Sequence, residues 1–299
     1  MDDVSLFVFG AGFAASAAID ALRRTHPGAR VAVTTRDEDK VKMLAAKGIH
    51  AHLFDGETPG ATLLPDLERA SHLLISIAPD VKCDPVIREH ASHIEAAPRL
   101  EWIGYYSTIG VYGDSGGEWI DETAPTVATN DRIRLRIEAE ALWSNMATTK
   151  NIPLAIMRLA GIYGPGRSAL DKLRAGTAHR IIKPGQVFNR VHTTDIGEMT
   201  ARAAMRRLGG IYNFTDDEPA PPQDVIAYAA KLLGMEPPPE IPFEKAEMSK
   251  LARSFYANTK RVSGSKIRKA LGYELAYPDY RAGLEAILEA EGVRVPAND

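Results

Sequence analysis

In the first half of the chain, short apolar runs alternate with helically patterned stretches, and this alternation constrains the fold more than any other feature of the 299 residues. The runs "SLFVFG", "RVAVTTR", "IHAHLF", "HLLISIA" and "LEWIGYYS" read as buried strands. Helices fill the gaps. One follows "GAGFAAS", runs to Arg24 and stops at "HPG". A second, "DEDKVKMLAAKG", has acids at its start, bases later and Gly48 as its stop, and "CDPVIREHASHIEAA" opens with Asp84 as cap and Pro85 in its first turn. Strands separated by helices need crossover connections, so the sheet is expected to be parallel with helices on both faces, an α/β doubly wound fold.

After "PLAIMRLAGIYGPG" the alternation weakens. Residues 166 to 190 read as irregular, a helix follows Asp195, "GGIYNFTDD" reads as a strand, "MEPPPEIPFEKAEM" as a proline-rich surface connector and "YPDYRAGLEAILEAEG" as a closing helix. The expected division is a larger domain over 1–165, with 191–230 returning to it, and a smaller lobe from 166–190 and 231–299. With 45% hydrophobic and 25% charged residues the chain can bury a full core. A net charge of -3 gives no footprint for nucleic acid or an anionic membrane, and no apolar run is long enough to span a bilayer. The single Cys83 excludes an intramolecular disulfide and lacks the companion ligands of a metal site, so no metal is expected. "MDDVSLFVFGAG" is acidic where a signal peptide would be basic, and a cytoplasmic location is expected.

"FVFGAGFAAS" is the most informative local motif. Gly10 and Gly12 follow a strand and precede a helix, with Ala15 at the third small position of a dinucleotide fingerprint. A side chain at either glycine would block the tight turn or the backbone's approach to a pyrophosphate, which the helix's first N–H groups then face. Selectivity is set where the second strand ends. Arg36 there suits a 2'-phosphate and favours NADP, while its neighbour Asp37 offers the alternative, a ribose hydroxyl of NAD.

The segments "YYSTIGVYG", "MRLAGIYGPG", "NRVHTTDIGEMTARAA", "GGIYNFTDDEPAPPQDVIAYAAKLLG" and "ALGYELAYPDYRAGL" together resemble the extended short-chain dehydrogenase/reductase superfamily, specifically its NAD-dependent epimerase/dehydratase group. The resemblance spans nearly the whole chain in order. It implies a Rossmann doubly wound sheet with a smaller C-terminal substrate lobe. It also implies that Thr108, with Ser107 beside it and Tyr112 completing the motif, contacts the reacting oxygen of the substrate. The family's catalytic tyrosine and, four residues on, its lysine align in "NDRIRLRIEAEALW" with Arg132 and Arg136. A guanidinium stays protonated and cannot do the tyrosine's work, so the chain is similar to the atypical subgroup that keeps the glycine-rich loop without that tyrosine. Arg136 retains the lysine's reach towards ribose or phosphate, Arg132 reads as a solvated helix start, and Arg134 is turned elsewhere. The candidate cofactor contacts are Gly10, Gly12, Phe13, Ala14, Arg36, Ala78, Arg136 and Gly161.

In the nucleotide-sugar epimerases an arginine seven residues before the motif aspartate holds a diphosphate; counted from Asp195, that place is Phe188, with Arg190 close by. Asp195 itself is expected to cap a helix start. The first functional reading is therefore an NADP- or NAD-dependent oxidoreductase, epimerase or dehydratase acting on a small polar or sugar-like molecule. A replacement proton donor would come from Tyr105, Tyr106, Tyr112 or Tyr163. The second reading is a non-catalytic dinucleotide-binding sensor or regulatory protein. A homodimer through helices of the Rossmann domain is a further implication of the family.

Overall fold

In a computed structural model that describes residues 4–60 and 62–293, the chain runs β1 (Ser5–Phe9), α1 (Phe13–Thr25), β2 (Arg30–Thr35), α2 (Glu38–Ala46), β3 (His50–Leu53), α3 (Leu64–Arg69), β4 (His72–Ile75), α4 (Pro85–Ala96) and β5 (Trp102–Thr108). There follow β6 (Trp119–Ile120), α5 (Asp131–Lys150), β7 (Leu154–Leu159), β8 (Gly161–Tyr163), α6 (Ala169–Arg174), β9 (Arg180–Ile182), β10 (Arg190–His192), α7 (Thr193–Met205) and β11 (Gly210–Phe214). The chain closes with α8 (Pro222–Leu232), β12 (Glu240–Pro242), α9 (Lys250–Phe255), β13 (Arg261–Val262), α10 (Ser265–Leu271) and α11 (Tyr280–Ala290). Among the described residues no helix is long and apolar enough to cross a membrane.

Two compact units emerge, one from residues 1–111, 126–159 and 196–212, the other from 112–125, 160–195 and 213–299. The contacts thus divide the chain after Leu159, against the expected 165, and give the second unit an excursion at 112–125 and the segment 213–230.

The first unit is built on a seven-stranded sheet in the order β11-β7-β5-β4-β1-β2-β3, and the five pairings from β3 to β7 are all parallel. Strand order reverses at β1, the switch point at which doubly wound folds bind ligands. Central strands lie between helices on both faces and have little use for polar alternation, so Phe7, Val8 and Phe9 are all 0% exposed. The edge strand β3 departs from this, with His50 and Leu53 exposed. On α4 both expected start signals act as read: Pro85 opens the helix, and Asp84 caps it by accepting the amides of Val86 (2.9 Å) and Ile87 (3.1 Å). The alanine-rich α1 lies close to α7, where a Cβ on Gly197 would come within 2.5 Å of the Ala17 carbonyl oxygen. Arg24 and Glu198 add an ion pair between the same two helices.

The second unit contains three parallel two-stranded ribbons, β8–β10, β9–β12 and β6–β13. Its core is formed by Leu170, Leu173, Ile226, Ala229, Tyr280, Leu284 and Leu288, contributed by α6, α8 and α11. Two expectations are corrected here. Residues 166–190 hold α6, stopped by no apolar run but started by a capping box between Ser168 and Asp171, together with β9. The proline-rich connector is partly ordered as β12, which pairs with β9. Elements of three to six residues carry too few positions for a period to register.

Candidate functional site

The turn between β1 and α1 is shaped by glycine. Gly10 has φ +92°, and a Cβ there would lie 2.8 Å from Ile77 Cγ1, so both the backbone and its neighbour exclude a side chain. The turn is tied to β2: Gly10 donates its amide to Thr34 Oγ1 and Ala11 to the Thr34 carbonyl, each at 2.9 Å. Gly12 is the N-cap of α1 and supplies no side-chain acceptor to its first turn. Phe13 opens the helix half-buried, while the Ala14 side chain is 6% exposed and packs inward. Ala78 is exposed one residue beyond Ile77.

Arg36 is exposed just past the end of β2. Its neighbour Asp37 is committed to α2, where Oδ1 accepts the amides of Asp39 (2.9 Å) and Lys40 (3.1 Å). Lys40, which the sequence reading passed over, donates from Nζ to the Ala11 carbonyl at 2.5 Å and so brings a second cation to the loop.

At the end of β5 two adjacent hydroxyls have different fates. Ser107 is buried and donates to Glu140 Oε1 at 2.5 Å; Arg158 holds the same carboxylate through Nε (3.1 Å) and Nη2 (2.7 Å). Here Ser107 serves as a tie between β5 and α5. Thr108 is half-buried, and its Oγ1 accepts the Gly110 amide at 3.1 Å, which leaves the hydroxyl proton available to donate. Tyr112 belongs to the second unit and donates to Asn213 Oδ1 at 2.7 Å.

The three arginines of α5 also diverge. Arg134 bridges to Glu138 (2.7 Å) and Asp131 (3.4 Å) on the solvated face. Arg136 is half-buried and donates from Nη1 to the Tyr105 hydroxyl (3.1 Å) and the Tyr106 carbonyl (2.9 Å), so this nitrogen faces the sheet. Arg132 is exposed one turn earlier.

None of the four candidate tyrosines presents an open hydroxyl. Tyr105 meets Arg136, Tyr106 meets Thr200 (2.9 Å), Tyr112 meets Asn213, and Tyr163 donates to the Asp279 carbonyl (3.1 Å). Burial pushes the phenols of Tyr105, Tyr106 and Tyr163 well above the usual tyrosine range, the reverse of what an acid–base tyrosine needs.

In the second unit, Gly161 is exposed on β8 and donates its amide to the Asn189 carbonyl at 3.0 Å. Asp195, fully buried in the first turn of α7, accepts the Tyr273 hydroxyl (2.6 Å) and the amides of Ala276 (2.8 Å) and Tyr277 (3.1 Å), pinning the segment before α11. Phe188 packs edge-on against Tyr256, and Arg190 donates to the carbonyls of Phe188 (2.9 Å) and Ala220 (3.1 Å). Asp216, which the sequence did not single out, is 2% exposed with neither carboxylate oxygen hydrogen-bonded; burial raises its pKa well above the ordinary value against the pull of Arg190.

No family model matches the chain. The curated protein YeeZ of Escherichia coli K12 is 34% identical over 186 residues, which cover 61% of this chain and 61% of that protein. The chain is similar over 95% of its length to the structure of a conserved protein of unknown function from Silicibacter pomeroyi, covering 98% of it at 44% identity with a TM-score of 0.86. A structure from Methylobacillus flagellatus, assigned to the NAD-dependent epimerases/dehydratases, is 25% identical over 97% of this chain and 99% of that one, with a TM-score of 0.72. With the glycine loop at the switch point and these neighbours, the chain is similar to the epimerase/dehydratase group of the extended short-chain dehydrogenases/reductases.

Proposed function

We propose that the protein is an NADP-preferring oxidoreductase of the epimerase/dehydratase type, acting on a small polar or sugar-like molecule, with Thr108 donating a hydrogen bond to the reacting oxygen. The observation that carries the reading is the Gly10–Gly12 turn: a cradle that a Cβ would fill, opening onto a helix without a side-chain cap. These residues fit a dinucleotide, whose nicotinamide would supply or accept hydride when bound. Gly10 and Gly12 would admit the pyrophosphate, Phe13 and Ala14 would offer backbone amides of the first turn, and Arg36 would meet a 2'-phosphate. The preference for NADP is supported by Asp37, whose carboxylate is already engaged in capping α2. Similarity to a protein assigned as an NAD-dependent epimerase/dehydratase supports the nicotinamide cofactor itself.

Calorimetric titration with NADPH, NADP, NADH and NAD at one ionic strength tests this reading. Tight binding of the phosphorylated pair in both redox states is expected; no binding of any of the four would sink it. A second reading, a non-catalytic redox sensor, is favoured by one observation, the engagement of every candidate tyrosine hydroxyl in an internal bond. Binding of one redox form only, with no turnover on carbonyl compounds or sugars, would select it.

A further inference from the structure

The first unit buries a histidine that no hydrogen bond holds. His90, on α4, is 0% exposed, and neither of its ring nitrogens has a partner. A neutral imidazole carries one donor and one acceptor, and burying both unpaired costs stability. The ring is walled instead by aromatic groups: its centroid stands 5.3 Å from that of Phe9, 5.1 Å from that of Phe54 and 5.8 Å from that of His93. Phe9 and Phe54 belong to the main core of the unit, together with Val86 and Ile94, which lie one turn to either side of His90 on α4. Thus β1 and the segment after β3 meet the ring with uncharged side chains. The charges that act on it both come from α4: Glu89, itself paired with Arg88, favours protonation, and His93 opposes it. Among the described residues no charge from α3 or α5 acts on it.

A phenylalanine here would fill the same space without stranding a nitrogen, so the imidazole gives no stability at neutral pH that a hydrocarbon ring would not. What it adds is a charge that acid switches on. Protonation makes donors of both nitrogens and sets a cation among Phe9, Phe54 and the core, where neither nitrogen has an acceptor. Burial, with His93 adding to it, pushes the pKa of the ring down to about 4 from the ordinary 6.5. Because the folded value lies below the unfolded one, the contribution of the neutral ring is fully present above pH 6.5 and is lost as pH falls from there towards 4. Phe9 is followed directly by Gly10, so the strand that leans on the ring is the one that ends in the glycine turn. We propose that His90 is a built-in proton sensor, and that its protonation in mild acid opens the core of the first unit behind the glycine turn.

Denaturant unfolding of the full chain tests this, followed through the fluorescence of Trp102 and Trp143, both fully buried in the first unit. The native protein is compared with His90→Phe and His90→Leu at pH 7 and pH 5. Between these values the native unfolding constant is expected to rise about twentyfold more than that of either variant, the effect of one proton that the unfolded chain binds and the folded chain refuses. His72 and His192, also buried and also held below the ordinary value, are present in all three proteins, so their proton uptake cancels. A ring that only filled space would shift stability equally at both pH values. A second measurement needs the native protein alone: the His90 ring signals, followed by NMR, are expected to keep their neutral positions down to about pH 5 for as long as the chain is folded. Equal pH dependence in native protein and variants, or a His90 ring that titrates near pH 6.5 in the folded chain, overturns the proposal. The NMR titration decides even if neither variant folds.

Discussion

The turn after β1 and the end of β5 lie on one sheet, yet one is built from main chain and the other from side chains. The turn is made of backbone: a positive φ, two absent side chains and the start of a helix. The other end depends on side chains. Arg132 and Arg136 stand on α5, Arg136 bonding to Tyr105 and Tyr106, and Ser107 is drawn into a buried bond with Glu140. A site formed by main-chain geometry is coupled to the fold and survives with it. A site formed by two side chains on a helix can be exchanged while the helix, its Asn130 cap and its packing stay as they were.

Five substitutions probe this contrast, the largest effect first. Arg158→Ala strips Glu140 of its ion pair inside the first unit, and denaturant unfolding is expected to show a loss of about 3–5 kcal/mol. A loss below about 1 kcal/mol would mean that water reaches Glu140 and that this end of β5 is open rather than structural. Thr108→Val is expected to lower turnover by about 10²-fold with NADPH affinity unchanged, the cost of losing one preorganised donor. Ser107→Ala should instead cost about 1–3 kcal/mol of stability while turnover holds, and the opposite pattern would exchange the roles of the two hydroxyls. Arg36→Ala should weaken NADPH by about 1.5–3 kcal/mol and leave NADH unchanged; equal losses for both cofactors would remove Arg36 from selectivity. Arg134→Ala should leave both melting temperature and cofactor affinity at their native values, since its partners are exposed, and a clear shift in either would show that the outer face of α5 also works.

Much of the first unit was legible because its signals are local. The apolar runs of β1, β2, β4 and β5, the Asp84–Pro85 start of α4 and the glycines of the turn each act within a few residues. The partners that decide the other end are distant in sequence: Ser107 meets Glu140 33 positions away, and Arg136 meets Tyr105 31 positions away. No period or cap encodes such pairs. Arg136 was legible as a cation on α5, whereas the side to which its Nη1 turns is set by the strand beneath it. Asp195 shows the same limit: an acid at a helix start suggests a cap, and nothing local announces that its carboxylate serves Tyr273, Ala276 and Tyr277, about 80 residues on.

The contact of Gly197 with the Ala17 carbonyl bears on how a dinucleotide would be received. Because the backbones of α1 and α7 touch there and Arg24 pairs with Glu198 nearby, α1 is gripped along its length before any phosphate arrives. The amides of its first turn are therefore preorganised, and little conformational entropy remains to be lost on binding. Enlarging Gly197 would pry the helices apart and be felt first as slower, weaker capture of the cofactor, from a position that need never touch it.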